Sequence, residues 1–600
     1  MTNPTSPTNE HDEARPAKRA RTAASATTTS AIPAVAPAMP ALPQRPPELD
    51  AATVAACFTE GLFNEDYVQH LANNYKASHP YLHCVMHPLV REDLLRAVRA
   101  EIMGQLHFTE KETDIYKVNQ TGDLANIDGL PLAERAALGH LHKLRNAFYS
   151  EPFRNFVSAV TGCGPLSGSK QDMSINNYRQ GCHLLNHDDV IGTRRVSYIL
   201  YLPPPDEEWK VEYGGALELY PCVKKGTPAT DPTVVLPPKY NQFIFFTVQP
   251  GYSFHSVQEV VVPNDRLSIS GWFHVPQDGE DGYQPMDVVL GPDAAPASLA
   301  QLEEDAAADN DETSEYPYRP VSTDEDLTAD LSDADRAYLA QFLHPQYLTP
   351  AAMTKMNDQF CDESSLQLRD FFKPEIASTL APLLNQADAR DRLANGDAKA
   401  LAHGAGVRAG WAVQGSPVKQ RFMVLTGDSA ASTESPECAP LRAAADLLVS
   451  PAFARWLYHV TGIAARGTRH RVRRFRPGLD YTLAAYSSTS ATLDVTVALT
   501  PSPRTAWEEG EIGGYECYVA PDESNDDPAV YRAAGGNEND EDGGALLTVP
   551  ADWNVLSLVL RDQGVMRFVK YVSGLAPGSR WDIAMEVLPV PDEEDAEDAE

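Results

Sequence analysis

Hydrophobic residues fall at helical spacing in "HPLVREDLLRAVRAEIMG" (residues 87–104), where Val90, Leu94, Leu95, Val98 and Ile102 share one face. Pro88 suits the first turn of that helix. A period of two governs "RLSISGWFHV" (266–275). Arg266, Ser268, Ser270 and Trp272 take one side of a strand, and Leu267, Ile269 and Phe273 take the other.

These patterns recur. "EPFRNFVSAVTG" (151–162) parallels "SPAFARWLYHVTG" (450–462), matching Phe153 with Phe453 and Phe156 with Trp456. Downstream, "NNYRQGCHLLNHDD" aligns with "RRFRPGLDYTLAAY", "EYGGALELY" with "EIGGYECYV", and "NQFIFFTVQPG" with "NVLSLVLRDQG". An order kept over more than a hundred residues predicts two copies of one β-rich domain, each preceded by helices: an α+β chain.

Length and composition agree, since 600 residues with 43% hydrophobic content exceed a single core. Residues 1–50 are rich in Pro, Ala, Thr and Ser and predict a disordered tail. The expected boundaries are 51–276 for the first domain, 277–330 for an acidic linker, 331–592 for the second domain and 593–600 for an acidic tail. Residues 522–544 predict a long surface insertion.

With 84 acidic and 49 basic side chains the formal charge is −35, which repels nucleic acid and steers cationic proteins toward the surface. No direct DNA binding is expected. No apolar run has bilayer length and the first residues are polar, so the expectation is a soluble intracellular protein. Eight cysteines without CxxC spacing suit reduced thiols. "PAKRAR" near the N-terminus is a candidate nuclear import signal, which gives an expectation of nucleus and cytoplasm.

Candidate chemistry sits in "NHDDV". Read as a strand end, it puts His187 and Asp189 on one face and Asp188 on the other. Two histidines and one carboxylate form the facial triad of non-haem iron, which leaves three coordination positions open. "QPGYSFHSVQEV" supplies a candidate for the third ligand, His255, at the end of an apolar strand where a neighbouring strand could present it. Arg266, eleven residues on, is predicted to face inward with Ser268, a costly placement unless an anion pairs with it.

On these residues the chain resembles the Fe(II)- and 2-oxoglutarate-dependent prolyl hydroxylases, and among them the fungal-type prolyl 3,4-dihydroxylases of a small-subunit ribosomal protein. The resemblance is dense in "YRQGCHLLNHDDVIGTRRVSYILYLPPP", "GYSFHSVQEV" and "RLSISGWFHVPQ" and looser over residues 55–600. It implies two tandem double-stranded β-helix (jelly-roll, cupin-like) domains with supporting helices. It also implies that His187, Asp189 and His255 bind Fe(II), that Arg266 pairs with the far carboxylate of 2-oxoglutarate, and that Tyr178 and Tyr201 hydrogen-bond that cosubstrate, with Ser268 assisting. Ascorbate as reductant, a basic ribosomal substrate protein, a regulatory partner and a role in translation termination and accuracy belong to the same implication.

In the second copy His187 falls opposite Ala484, Asp189 opposite Tyr486 and His255 opposite Phe568, so all three ligands are missing. Arg580 takes the place of Arg266 and Phe475 that of Tyr178. The second domain therefore reads as a non-catalytic docking or stabilising module.

Several residues carry blander readings. His183 shares strand parity with His187 and competes as a ligand, with a pocket-wall role as the alternative. His140 and His142 lie two apart on a helical pattern and face different ways; His83 and His87 precede Pro88 and read as structural. Tyr178 and Tyr201 also suit plain core aromatics, and Arg194 and Arg195 a solvated pair. For the whole chain, the competing reading is a sensor of oxygen or 2-oxoglutarate that acts by holding a partner.

Overall fold

The computed structural model describes residues 49–285, 316–321, 326–393, 399–427, 434–484, 491–520 and 545–590. The tail before residue 49, the "PAKRAR" run, most of the acidic linker, the 522–544 insertion, Tyr486 and the acidic terminus lie outside them. The described residues form one compact unit. No described helix is long and apolar enough to cross a membrane, and all eight cysteines are free thiols.

The first half is built on an antiparallel sheet of eleven strands. Its larger face runs His83–Met86, Phe243–Thr247, Arg194–Tyr201, Arg266–His274 and Gln171–Tyr178. Tyr116–Gln120 then links it to a smaller face of His183–His187, His255–Val257, Leu217–Leu219 and Val234–Leu236. Side chains from both faces, among them Tyr178, Tyr201, Leu217, Leu219, Phe246 and Val257, form one buried cluster, so the sheet curls over a chamber. On the outer side of the larger face, Val196, Tyr198, Leu200, Leu267, Ile269 and Phe273 join a core with the helices Glu65–Lys76, Glu92–Gln105, Gly139–Phe148 and Glu151–Thr161. The alternation in residues 266–275 thus separates a helix-packed side from a chamber side.

The helix expected from Pro88 starts later, at Glu92, although Val90, Leu94, Leu95, Val98 and Ile102 are all buried. The Asn241 side chain explains the delay. Its Oδ1 accepts the N–H groups of Leu89 and Val90 at 3.1 and 2.9 Å, and its Nδ2 donates to the Val90 carbonyl, which holds the segment extended.

The second half repeats the plan. Ser365–Arg369, Trp553–Arg561, Thr492–Leu499, Arg580–Pro589, Ala465–Phe475, Gln420–Leu425 and Trp411–Ser416 form the larger face, and Ala545–Val549, Glu516–Val519 and Met566–Val569 a separate three-stranded sheet. Shared backbone peculiarities tie the copies together. The helices Glu151–Thr161 and Pro451–Thr461 both end on left-handed glycines, Gly162 and Gly462. Asn241 and Asn554 both take positive φ, and Asn554 clamps Phe372 as Asn241 clamps Val90. In the Gly-Gly turns a Cβ on Gly214 would lie 1.9 Å from the Glu259 carbonyl oxygen, and one on Gly513 1.8 Å from that of Tyr571, so neither place admits a side chain.

Candidate metal and cosubstrate site

Three elements converge at the chamber. His187 ends its strand, His255 begins the neighbouring one, and the two are directly paired across the ladder. Asp189 does not lie on the strand as expected: it stands two residues beyond, with φ of 63°, and a left-handed turn brings it back to His187. Asp188 pins that turn, accepting the Gly251 N–H at 3.0 Å while its carbonyl accepts the Ser253 hydroxyl, also at 3.0 Å. Asp188 is thus an anchor rather than a residue on the opposite strand face.

The ligand atoms of His187, Asp189 and His255 lie within 4.8 Å of one another, the one such cluster among the described residues. His187 Nε2 is 3.3 Å from Asp189 Oδ1, and His255 Nε2 is 3.5 Å from Asp189 Oδ2. Donors about 2.1 Å from one ion in adjacent octahedral positions stand roughly 3 Å apart, so the spacing fits a metal with little movement. Both Nδ1 atoms face backbone carbonyls, of Leu185 at 2.8 Å and Ser253 at 2.9 Å. Donation there leaves both Nε2 lone pairs aimed at the centre.

The electrostatics differ between the two imidazoles: burial would lower His187, but its hydrogen bond to Asp189 and the charge of that carboxylate outweigh burial and raise it. Burial alone would raise the Asp189 carboxyl, but His255, His187 and Arg194 outweigh it and hold it well below the usual carboxylate range. Burial and the neighbouring His187 push His255 down to about 4, so it is neutral and free to ligate at physiological pH.

Deeper in the chamber Arg266 is buried, with its guanidinium carbon 4.7 Å from the Tyr178 ring centre and 4.8 Å from that of Tyr201. Nε donates to the Gly215 carbonyl at 2.7 Å and Nη1 reaches Ser268 Oγ at 3.4 Å. Arg266 Nη2 and the Tyr201 hydroxyl have no hydrogen-bond partner among the described residues. A buried cationic donor beside an orphan phenol fits a guest carboxylate, and this is the observation by which the residues present fit 2-oxoglutarate.

His183 is placed elsewhere. Val257 pairs with Leu184 and His255 with His187, so a bulge adds one residue between the two pairs and reverses the parity. His183 faces the second half, its ring 4.2 Å from that of Tyr571, and burial pushes it down to about 3. His83 lies on a strand and His87 is exposed, while Arg194 is no solvated residue: it stacks 3.5 Å over Trp272 beside Asp172.

Two residues escaped the sequence reading. Ser197 donates to Asp189 Oδ2 at 2.8 Å, and its spacing of four from Tyr201 on one strand was the available signal. Tyr81 brings another buried, unpartnered hydroxyl into the same cluster, and nothing in its sequence context marks it.

Residues 173–274 match a family model described as 2OG-Fe(II) oxygenase superfamily. Residues 334–595 match one described as Oxoglutarate and iron-dependent oxygenase degradation C-term. The chain is 35% identical over 529 residues to the prolyl 3,4-dihydroxylase OGFOD1 of Ostreococcus tauri, covering 86% of this chain and 96% of that protein. It is 26% identical over 532 residues to the prolyl 3-hydroxylase OGFOD1 of Xenopus laevis, covering 82% and 83%. The prolyl 3-hydroxylase sudestada1 of Drosophila melanogaster is 26% identical over 516 residues, covering 83% and 81%.

Proposed function

The chain belongs to the Fe(II)- and 2-oxoglutarate-dependent prolyl hydroxylases, and from that premise we propose that its first half hydroxylates a prolyl residue of a basic small-subunit ribosomal protein, with consequences for translation termination and accuracy. His187, Asp189 and His255 would hold Fe(II). Arg266, with Ser268 and the Tyr178 and Tyr201 phenols, would take 2-oxoglutarate. Bound there, these two groups would supply the chemistry that activates dioxygen.

The chain's own part is placement. Leu185 and Ser253 carbonyls fix the two imidazoles, Ser197 fixes the carboxylate, and the apolar cluster around Arg266 excludes water from the cosubstrate. The reading rests chiefly on one observation: His187, Asp189 and His255 offer ligand atoms within 4.8 Å of one another in the sheet that also buries Arg266 with Nη2 unpartnered among the described residues.

The net charge of −35 supports a basic substrate by steering its approach. Ascorbate as the reductant that keeps iron ferrous, and residence in nucleus and cytoplasm, complete the proposal. Anaerobic Fe(II) titration with 2-oxoglutarate, followed by mass spectrometry of proline-containing ribosomal peptides in air, tests it. One or two oxygens gained on a proline, dependent on His187, are expected. Tight cosubstrate binding with no modified peptide would favour the sensor reading instead.

A further inference from the structure

The strand Ala465–Phe475 of the second half has an edge that the hydroxylase reading leaves unused. Its neighbour Gln420–Leu425 pairs with it only at Arg473 and Arg474. Ahead of that point the edge is taken by a short segment of the chain itself, Tyr316–Val321. Arg319 and Pro320 pair antiparallel with Thr468 and Gly467, and the Val321 N–H donates to the Arg466 carbonyl at 3.1 Å.

Two tyrosines, spaced to share one side of an extended chain, then settle on the sheet's arginines. The Arg471 guanidinium lies 3.3 Å from the Tyr316 ring centre and that of Arg469 4.4 Å from the Tyr318 ring centre. Arg469 Nη1 donates to the Tyr316 carbonyl at 3.3 Å, and the Tyr318 hydroxyl donates to Glu586 at 3.0 Å. Arg469 is charge-paired with Glu586 at 2.7 Å, whereas Arg471 has no ion pair with a carboxylate among the described residues.

Backbone pairing along an edge, with alternate side chains in specific places, is how sheets capture extended peptides. The ladder here spans two residues, too little to hold without the tether. Tethering raises the local concentration to the order of millimolar, so individually weak contacts suffice. The ladder register sets Tyr318 against Arg469 and Tyr316 against Arg471, so the segment matches the strand through its aromatic rings. Guanidinium groups over aromatic rings therefore favour a ligand with two aromatics spaced two residues apart.

We propose that the second half carries a peptide-binding edge, filled in cis by Tyr316–Val321, and that it accepts in trans an extended peptide with the same chemistry: two aromatics that flank a proline. Occupation by the chain's own segment and capture of a partner are mutually exclusive, so the segment acts as a built-in competitor.

The test uses the full chain and a fluorescent peptide of residues 311–322, "DETSEYPYRPVS". The double variant Tyr316→Ala/Tyr318→Ala should bind it at least tenfold more tightly than the wild type by fluorescence anisotropy. Adding Arg471→Glu to that variant should remove the gain, and a scrambled peptide should bind no better to either protein. Equal binding by wild type and double variant, with unchanged circular dichroism, would overturn the proposal, as would equal binding of the scrambled peptide. If the double variant does not fold, Arg471→Glu alone decides. It should speed chymotryptic cleavage after Tyr318 severalfold, and an unchanged rate would also overturn the proposal.

Discussion

Matched ladder positions show two solutions to one problem, a charged interior inside a β chamber. In the first half Arg266 pairs with Tyr178 across the ladder, and in the second Arg580 pairs with Phe475. Two residues further, Ser268 in the first half corresponds to Asp582 in the second, and Asp582 lies 3.0 Å from Arg580 Nη2. Ser197, which braces Asp189, corresponds to Asp494. His255 pairs with Leu219, and the counterpart pair is Tyr518 with Arg567. The expected match of His255 with Phe568 is therefore one residue off, because the sequence alignment had no ladder to set its register.

Arg567 takes the place of the second histidine and is held at 2.8 Å by Asp494 and also by Glu516. A guanidinium thus fills the region where the first half gathers His187 and His255, and Asp582 supplies a carboxylate where the first half has Ser268. Arg580 thus has a carboxylate partner of its own, although its Nε and Nη1 find no hydrogen-bond partner among the described residues. Arg266 has no such carboxylate, and its Nη2 stays without a partner among the described residues, a cost of about 1–3 kcal/mol that a bound anion would offset.

The largest break in this comparison should come from His255→Ala. Iron retention and succinate formation are expected to fall to background; undiminished iron binding by titration would remove His255 from the ligand set. Next is Arg567→Met, which leaves Asp494 to Arg561 and Glu516 to the more distant Arg473 and should destabilise the second half by roughly 3 kcal/mol in urea unfolding. A shift under 1 kcal/mol would show that the network is not structural.

Acid probes the same network. Burial pushes Glu516 up, yet Arg567, Arg580 and Arg473 outweigh it and hold it down at about 2. Its contribution is complete above the unfolded value near 4.5 and is lost as pH falls toward 2. The second half's urea midpoint should drop across that window, and by less in Glu516→Gln.

Ser268→Asp imports the second half's solution into the first. It should pair Arg266 internally and weaken 2-oxoglutarate binding by about 2–3 kcal/mol in anaerobic titration, with iron binding kept. Unchanged cosubstrate affinity would separate Arg266 from the carboxylate. The smallest effect belongs to Ser197→Ala, which frees one Asp189 oxygen and should cost about tenfold in iron affinity. A value equal to wild type would reduce Ser197 to a bystander.

Much of this was legible along the chain. The period-two run from Arg266 to Phe273 sorted chamber from core, and the repeated aromatics and Gly-Gly turns marked the duplication before any strand was paired. His187, Asp189 and His255 were legible as a set because ligand chemistry restricts side-chain type, and type is what a sequence records. What it does not record is accumulated rotation. One extra residue in a ladder turned His183 away from the chamber, and a left-handed Asp189 reached a place that strand parity alone denied it. The counter-charges were hidden for the same reason: Asp494, Glu516, Arg567 and Asp582 come from four strands, and only closure of the sheet sets them against one another. Local pattern determined which groups were present, and tertiary register decided which of them meet, because direction in a β-sheet reverses with every residue while distance across it depends on the whole path.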